Sequence, residues 1–378
     1  MSTRTLLFTD CVDFVGSACK PFPGMKKYVS TGAVDVDHIN DSDTEIVDYD
    51  GKPSRANLEV MAGDVLFAKM QGTKKTLLIN PVLANHIYST GFCAVRAKEG
   101  ILTERCLYHL LTSEMFLSQK DKNCSGATQK AITNAGLGKI VIHVPSVEEQ
   151  NNIADQLDAV IGIITKRQQE LSALDDLIKA RFVEMFGDPI HPLHYDKLSD
   201  IALLERGRFS PRPRNDPKYY NGEHPFIQTG DIASCNHRLN SYKQTLNELG
   251  IRVSKKFEPG TIVIAIVGAT IGATAILQRE VYAPDSVIGI TPYSYNNIYL
   301  ETLLQFWQPE LLANAPESAR ANINLSILGD IPIIRTELSN QEEFAVFVAQ
   351  VDKSKVVVQK ALDEAQLLFD SLMQQYFG

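Results

Sequence analysis

The sequence is short of the signatures that mark enzymes, disulfide scaffolds and secreted proteins. Its six cysteines, Cys11, Cys19, Cys93, Cys106, Cys124 and Cys235, form no C-x-x-C pair. That pattern points to reduced thiols, not to a zinc site or a disulfide frame. No G-x-x-x-x-G-K-[ST] phosphate loop occurs, because Gly136-Leu137-Gly138-Lys139 lacks the spacing. Asn80-Pro81-Val82 comes nearest to an N-P-P-[YF] methyltransferase tetrapeptide and fails it. Gly268 and Gly272 make no dinucleotide fingerprint, and neither H-E-x-x-H nor a nucleophile elbow is present. The eight histidines are scattered, with His191 and His194 beside Pro189 in what reads as a linker. The opening MSTRTLLF has no basic n-region and no apolar h-region, so no signal peptide is expected and the expected compartment is the cytoplasm. These absences weigh toward binding, not catalysis, with no cofactor and no metal held by the chain.

A long uncharged run does occur, at Pro259–Gln278. It has the length of a membrane-spanning helix. It also holds Gly260, Gly268 and Gly272 and is rich in Ile, Val and Thr, which suits buried strands joined by a glycine turn. No membrane partner is expected.

An excess of positive charge, the usual footprint of a nucleic-acid binder, is also missing: the net charge is −8. Its distribution matters more than its sum. Residues 148–187 hold 4 Lys/Arg against 8 Asp/Glu, and residues 335–378 hold 4 against 7. Residues 69–139 and residues 206–256 each hold 10 Lys/Arg against 4 Asp/Glu. Two basic stretches are therefore separated by acidic ones. By itself a basic stretch is usually a solvated face.

What the chain does have is an internal repeat with a period near 191 residues. KYVSTGAV (Lys27–Val34) resembles PFIQTGDI (Pro225–Ile232), and AGDVLFAKMQGT (Ala62–Thr73) resembles PGTIVIAIVGAT (Pro259–Thr270). AITNAGLGKIVI (Ala131–Ile142) resembles NINLSILGDIPI (Asn322–Ile333). At the same offset Gln150 falls on Gln341, Leu171 on Leu362, and Phe186-Gly187 on Phe377-Gly378. A period this long means a duplicated two-part module. Each copy opens with short β-rich runs between Gly/Pro/Asn turns and closes with a long helix.

The first helix follows Pro145, with Ser146 and Glu149 at capping-box spacing, and Gly187-Asp188-Pro189 stops it. Ile153, Leu157, Ile164, Leu171 and Ile178 lie on its heptad stripe; Val348, Val351, Leu362 and Phe369 lie on the stripe of the second helix. Arg167 and Lys355 interrupt the stripes and are expected to mark a solvated or partner-facing point near mid-rod. Each stripe needs a partner, and the helices are the obvious partners for each other. About 39 helical residues at ~1.5 Å each give a rod of roughly 58 Å. Such a rod can hold two heads more than one DNA turn apart, a turn being ~34–36 Å.

Two modules of mixed region plus heptad helix, without catalytic motifs, resemble the specificity subunits of type I restriction–modification enzymes. PFIQTGDI, PGTIVIAIVGATIGATAIL, YAPDSVIGITP and NINLSILGDIPI are similar to the landmarks of that family's target-recognition domains. VPSVEEQNNIADQLDAV and LSNQEEFAVFVAQVD are similar to the starts of its conserved helices, and KARFVEMFGDP to the end of one. The resemblance implies an α/β (α+β) fold. Two target-recognition domains stand in tandem, residues 1–147 and 188–334, each followed by a spacer helix, residues 148–187 and 335–378. The helices would form an antiparallel coiled coil. It implies as partners double-stranded DNA, two modification subunits that bind S-adenosylmethionine, and restriction/motor subunits. Departures are present: Gly32-Ala33-Val34 stands where the second module has Gly230-Asp231-Ile232.

DNA recognition needs Lys/Arg for phosphates and Arg, Asn or Gln for base edges. The best stretch is RGRFSPRPRNDPKYYNG, which carries Arg206, Arg208, Arg212, Arg214 and Lys218, with Tyr219 and Tyr220 as packing support. Lys255 and Lys256 form a second set. In the first module the candidates are Lys69, Lys74 and Lys75 in AKMQGTKK, then Thr128, Gln129 and Lys130 in GATQKA. The acidic stretch Asp35–Asp50 is expected to face away from DNA. Two other readings stay open: a stand-alone DNA-binding regulator of the same duplicated build, and a coiled-coil scaffold that binds no DNA.

Overall fold

The computed structural model describes residues 4–127, 129–314 and 323–378. The chain forms two compact units: residues 1–168 with 360–378, and residues 169–359. Each has a mixed α/β fold of the same topology.

In unit one, one sheet has the order Val12–Phe14, Phe92–Ala97, Val65–Ala68, Thr76–Leu78 and is antiparallel throughout. A second has the order Glu45–Val47, Lys26–Val29, Ile87–Ser89, Ala56–Leu58, with one parallel pair at its centre. Unit two repeats both orders. Ala202–Arg206, Val287–Pro292, Ile262–Ala265 and Thr274–Leu277 make the first sheet, extended by Arg238–Leu239. Gln244–Leu246, Tyr220–Phe226, Val281–Ala283 and Lys255–Phe257 make the second, again with a central parallel pair. A two-stranded ribbon closes each unit: Arg4–Leu7 with Val141–Val144, and Tyr195–Lys197 with Pro332–Ile334. The repeat seen in the sequence is thus a repeat of topology.

The uncharged run at 259–278 folds as two strands joined by a tight turn at Gly268–Thr270, with positive φ at Gly268 and Gly272. Alternate residues point to opposite faces of a strand. Ile262, Ile264 and Ile276 accordingly enter one core with Tyr299 and Leu303 of the helix Asn297–Ala313. Val263, Ala265, Ala275 and Leu277 enter another. Burial of both faces explains why the run carries no charge. Among the described residues no helix is long and apolar enough to cross a membrane.

The long helices run Val147–Phe186 and Leu338–Phe377. Ser146 accepts a hydrogen bond from the Glu149 amide at 3.3 Å, half of the expected capping box. One turn later each helix carries a buried glutamine that does the same work in its own unit. Gln150 accepts from the Thr103 amide (2.8 Å) and donates to the Ile101 and Pro145 carbonyls. Gln341 accepts from the Asn296 amide (2.8 Å) and donates to the Thr336 carbonyl. Each fixes the start of its long helix to the N-cap of a shorter helix, satisfying groups that water cannot reach.

The helices are antiparallel within each unit. In unit two Asp175 pairs with Lys355, Arg181 with Glu343 (3.4 Å), and Phe186 meets Phe344 edge to face (5.7 Å). As the number rises on one helix it falls on the other. In unit one the Tyr376 hydroxyl meets Gln156 at 2.9 Å. Of the expected stripe residues, Ile153, Leu157, Ile178, Val348 and Val351 are buried, while Ile164, Leu171, Leu362 and Phe369 are half-buried.

Lys355 corrects an expectation. It is not a solvated interruption: its side chain is 7% exposed and its ammonium is paired with Asp175. The same interior region of unit two holds Glu301, bonded to His237 (2.9 Å) and Thr274 (2.8 Å), and the pair Arg238–Asp352 at 3.1 Å. Burial by itself would raise the Glu301 carboxyl. The hydrogen bonds and charge of its partners, His237 above all, outweigh it and hold the group below its ordinary value.

Unit one is completed by the last residues of the chain. Phe377 is 6% exposed and lies in one core with Phe8, Leu107, Ile142, Ile153 and Leu157. Phe377→Ala is expected to lower stability by about 3–5 kcal/mol through loss of buried area and a residual cavity. Hydrogen exchange should quicken in Glu104–Thr112 and Val141–Val144, while the strand Ile262–Ala265 keeps its protection. Equal loosening of both regions would contradict the division into units.

Candidate nucleic-acid interface

The arginine-rich stretch of unit two is a loop between the strand Ala202–Arg206 and the short 3₁₀ turn Pro217–Tyr219. Its first residues are laid along the backbone of another segment. The Gly207 amide donates to the Val287 carbonyl (2.8 Å) and the Arg208 amide to the Ala283 carbonyl (3.0 Å). A Cβ on Gly207 would lie 2.1 Å from the Pro284 carbonyl oxygen, so only glycine allows this approach. Beneath the loop Phe209, Tyr219, Tyr220 and Phe226 form a small aromatic core, and the Tyr220 hydroxyl donates to the Arg214 carbonyl. The tyrosines support the loop by packing, as their place in the sequence suggested.

The basic side chains are exposed at their ends but anchored. Arg206 Nε donates to the Asp285 carbonyl at 2.7 Å, and Arg208 reaches the Ser254 carbonyl at 3.2 Å. Arg212 donates to the Phe209 and Pro211 carbonyls. Arg214 binds both oxygens of the Asp285 carboxylate, at 2.6 and 2.8 Å. Lys218 pairs with Asp216 at 3.0 Å and lies over the Tyr219 ring; its ammonium is held above its ordinary pKa mainly by the Asp216 hydrogen bond. Lys255 pairs with Glu205 (2.7 Å), and Lys256 sits between Glu280 (2.8 Å) and Glu258 (2.9 Å), which hold it protonated. Sequence alone singled out the cations and missed these acidic partners. Asp285 was in view within YAPDSVIGITP, but nothing local marked it.

In unit one Lys74 is paired with Glu114, and Lys75 donates to the Thr31 carbonyl at 2.8 Å. Lys69 is half-buried, and its backbone meets Gly91 and Ile132. The Gln129 side chain reaches the Met70 sulfur at 3.7 Å, and the Lys130 carbonyl accepts from the Gln71 amide. Lys69, Lys74, Lys75, Gln129 and Lys130 are therefore brought to neighbouring turns, while Thr128 lies outside the described residues. The acidic stretch begins against this turn: the Val36 carbonyl accepts from the Thr76 amide (2.7 Å), and Asp37 and His38 share a cavity of about 870 Å³ with Lys74 and His109. Beside it Arg105 bridges Asp155 and Asp158, and His109 binds Asp158 at 2.8 Å. Among the described residues no three His, Cys, Asp or Glu side chains are grouped to hold a metal ion.

The frame repeats, the surface loops differ, and the differing loops carry the cations. Against this geometry, the family described as Type I restriction modification DNA specificity domain matches residues 16–173 and again 194–365. The chain belongs to this family. The EcoBI specificity subunit of a type I restriction enzyme of Escherichia coli is 22% identical over 317 residues, which cover 75% of this chain and 66% of that protein. Two solved structures share the fold across nearly the full length. One, of a type I R-M system analysed for complex assembly and conformational transition, has a TM-score of 0.55 at 20% identity, covering 99% of this chain and 97% of its own. The other, the S subunit of a type I system from M. genitalium, has a TM-score of 0.54 at 14% identity, covering 100% and 96%.

Gly207 gives a direct test of how this specificity-family chain holds its loop. Gly207→Ala puts a methyl group into a backbone oxygen and is expected to cost about 1–3 kcal/mol. Limited trypsin digestion should then cut faster after Arg208 and Arg214. Gly230→Ala, where a Cβ meets nothing within 4 Å, is the control. Unchanged cleavage in Gly207→Ala would show that the loop does not depend on this contact.

Proposed function

We propose that this chain is the DNA-specificity subunit of a type I restriction–modification complex. Residues 1–147 and 188–334 act as two target-recognition domains, each reading one half of a bipartite duplex site. Residues 148–187 and 335–378 are the spacer helices that join them and dock two modification subunits; restriction/motor subunits complete the enzyme. The chain performs no chemistry itself. S-adenosylmethionine is bound by the modification subunits, and the complex works in the cytoplasm.

The observation that carries this reading is the family match in two tandem copies, 16–173 and 194–365. Two repeated strand orders bearing different basic loops support it, since similar frames with unequal contact surfaces suit an asymmetric target. In unit one the contacts come from Lys69, Lys74, Lys75, Thr128, Gln129 and Lys130. In unit two they come from Arg206, Arg208, Arg212, Arg214, Lys218, Lys255 and Lys256. The helices also fit protein partners. Leu177, Val183, Val346, Val356 and Val357 of unit two are exposed apolar side chains on these helices, which phosphate would not favour.

The test joins binding to methylation. With its modification subunits the chain should bind duplex DNA with log affinity falling against log salt by about 0.9 per phosphate contact. The methylated adenines should define two short motifs separated by a fixed gap. The chain alone should transfer no methyl group from S-adenosylmethionine. Salt-independent binding, or methylation by the isolated chain, would contradict the proposal.

A further inference from the structure

Three arginines of the unit-two loop converge on one acidic residue. Arg206 holds the Asp285 carbonyl at 2.7 Å, Arg214 holds both carboxylate oxygens, and Arg212 lies 3.8 Å from the same carboxylate. Asp285 directly follows Ala283 and Pro284, the residues against which Gly207 and Arg208 are laid. The carboxylate and the loop are therefore fixed to one piece of backbone. Arg214 remains 46% exposed, and Asp285 36%.

For a loop that only attracts phosphate, this arrangement is costly. A carboxylate beside the arginines cancels positive charge and repels the DNA backbone. A phosphate contact also needs no fixed side chain, because the charge attracts from many directions. Reading a base edge is different. The guanidinium must present two N–H groups in one plane, in register with a single base pair. An unrestrained arginine loses rotamer freedom on being held so. A carboxylate gripping one end of the fork removes much of that loss before DNA arrives. Asp285 engages only the Nη2 nitrogen of Arg214, and among the described residues Nη1 and Nε have no hydrogen-bond acceptor. Nη2 carries two hydrogens, and the one beside Nη1 completes the two-nitrogen edge of the guanidinium, Nη1–H with Nη2–H, which matches two adjacent acceptors. Guanine offers N7 and O6 in the major groove, whereas adenine places a donor amine beside its N7.

We propose that Asp285 is a positioning residue that holds Arg214 as a guanine-reading fork, so that the half-site read by unit two contains a guanine at that place. This rests on the DNA-binding role proposed above.

The experiment uses the full chain assembled with its modification subunits and duplexes carrying a randomised central tract. Bound duplexes are selected and sequenced for wild type, Asp285→Asn, Arg214→Lys and Arg214→Ala, and salt slopes are measured on the selected pool. Wild type is expected to select guanine at one position that all three variants relax, by roughly ten- to a hundredfold. Asp285→Asn should keep or raise overall affinity with a slope no shallower than wild type, because it removes a negative charge. A merely structural lesion would instead weaken binding to all duplexes. Arg214→Lys keeps the charge but not the fork, so it should lose the same position while keeping the slope. Asp285→Asn that binds every duplex more tightly with all preferences intact would overturn the proposal, leaving Asp285 only a moderator of charge. So would Arg214→Ala with an unchanged motif. A wild-type complex that selects nothing and binds without salt dependence would overturn the DNA-binding role itself, and is told apart because the failure precedes any substitution.

Discussion

Burial of the two heptad stripes is the constraint on which the rest of the molecule depends. Neither long helix can leave Leu157 or Val348 in water, and each finds cover in the other helix and in a mixed α/β domain. The antiparallel arrangement then decides which parts of the chain belong together. Unit one takes the beginning of the first helix and the end of the second; unit two takes the remaining halves. Phe377 closes the core of a unit whose first strand starts at Arg4. Unit two is one continuous segment, residues 169–359, whereas unit one is assembled from two, residues 1–168 and 360–378.

Much of this was legible in the sequence, for local reasons. Landmarks offset by 191 to 198 residues lie on corresponding strands. The glycines and β-branched residues of 259–278 marked a turn between buried strands. The heptad spacing placed Ile153, Leu157, Ile178, Val348 and Val351 in the interior. The equivalence of Gln150 and Gln341 was visible too, but their role was not: a glutamine one turn into a helix reads as surface until the backbone it caps is known. Lys355 misled for a related reason. Its partner Asp175 lies 180 residues away, and a charge on an apolar stripe looks like an interruption until its counter-ion is found.

The candidate interface was half legible. Composition located the cations of 206–218, but what they touch is set by tertiary structure. Lys255 meets Glu205 across 50 residues, and Arg214 meets Asp285 across 71. These partners change the character of the surface. The net charge of the basic stretches overstates their attraction for DNA, since many cations already share a carboxylate. What remains is a set of held side chains, better suited to discriminating a sequence than to gripping any duplex.

The central proposal is that one frame, used twice, carries two independent readers. The most direct measurement is a module exchange. Residues 190–333 are replaced by the matching region of a family member with a different target, both long helices are retained, and the methylated adenines of a host expressing the complex are mapped. The account requires one half-site to change while the other half-site and the gap between them stay constant. If both half-sites change together, or the gap alters with the helices untouched, the two units do not read independently and the account is wrong.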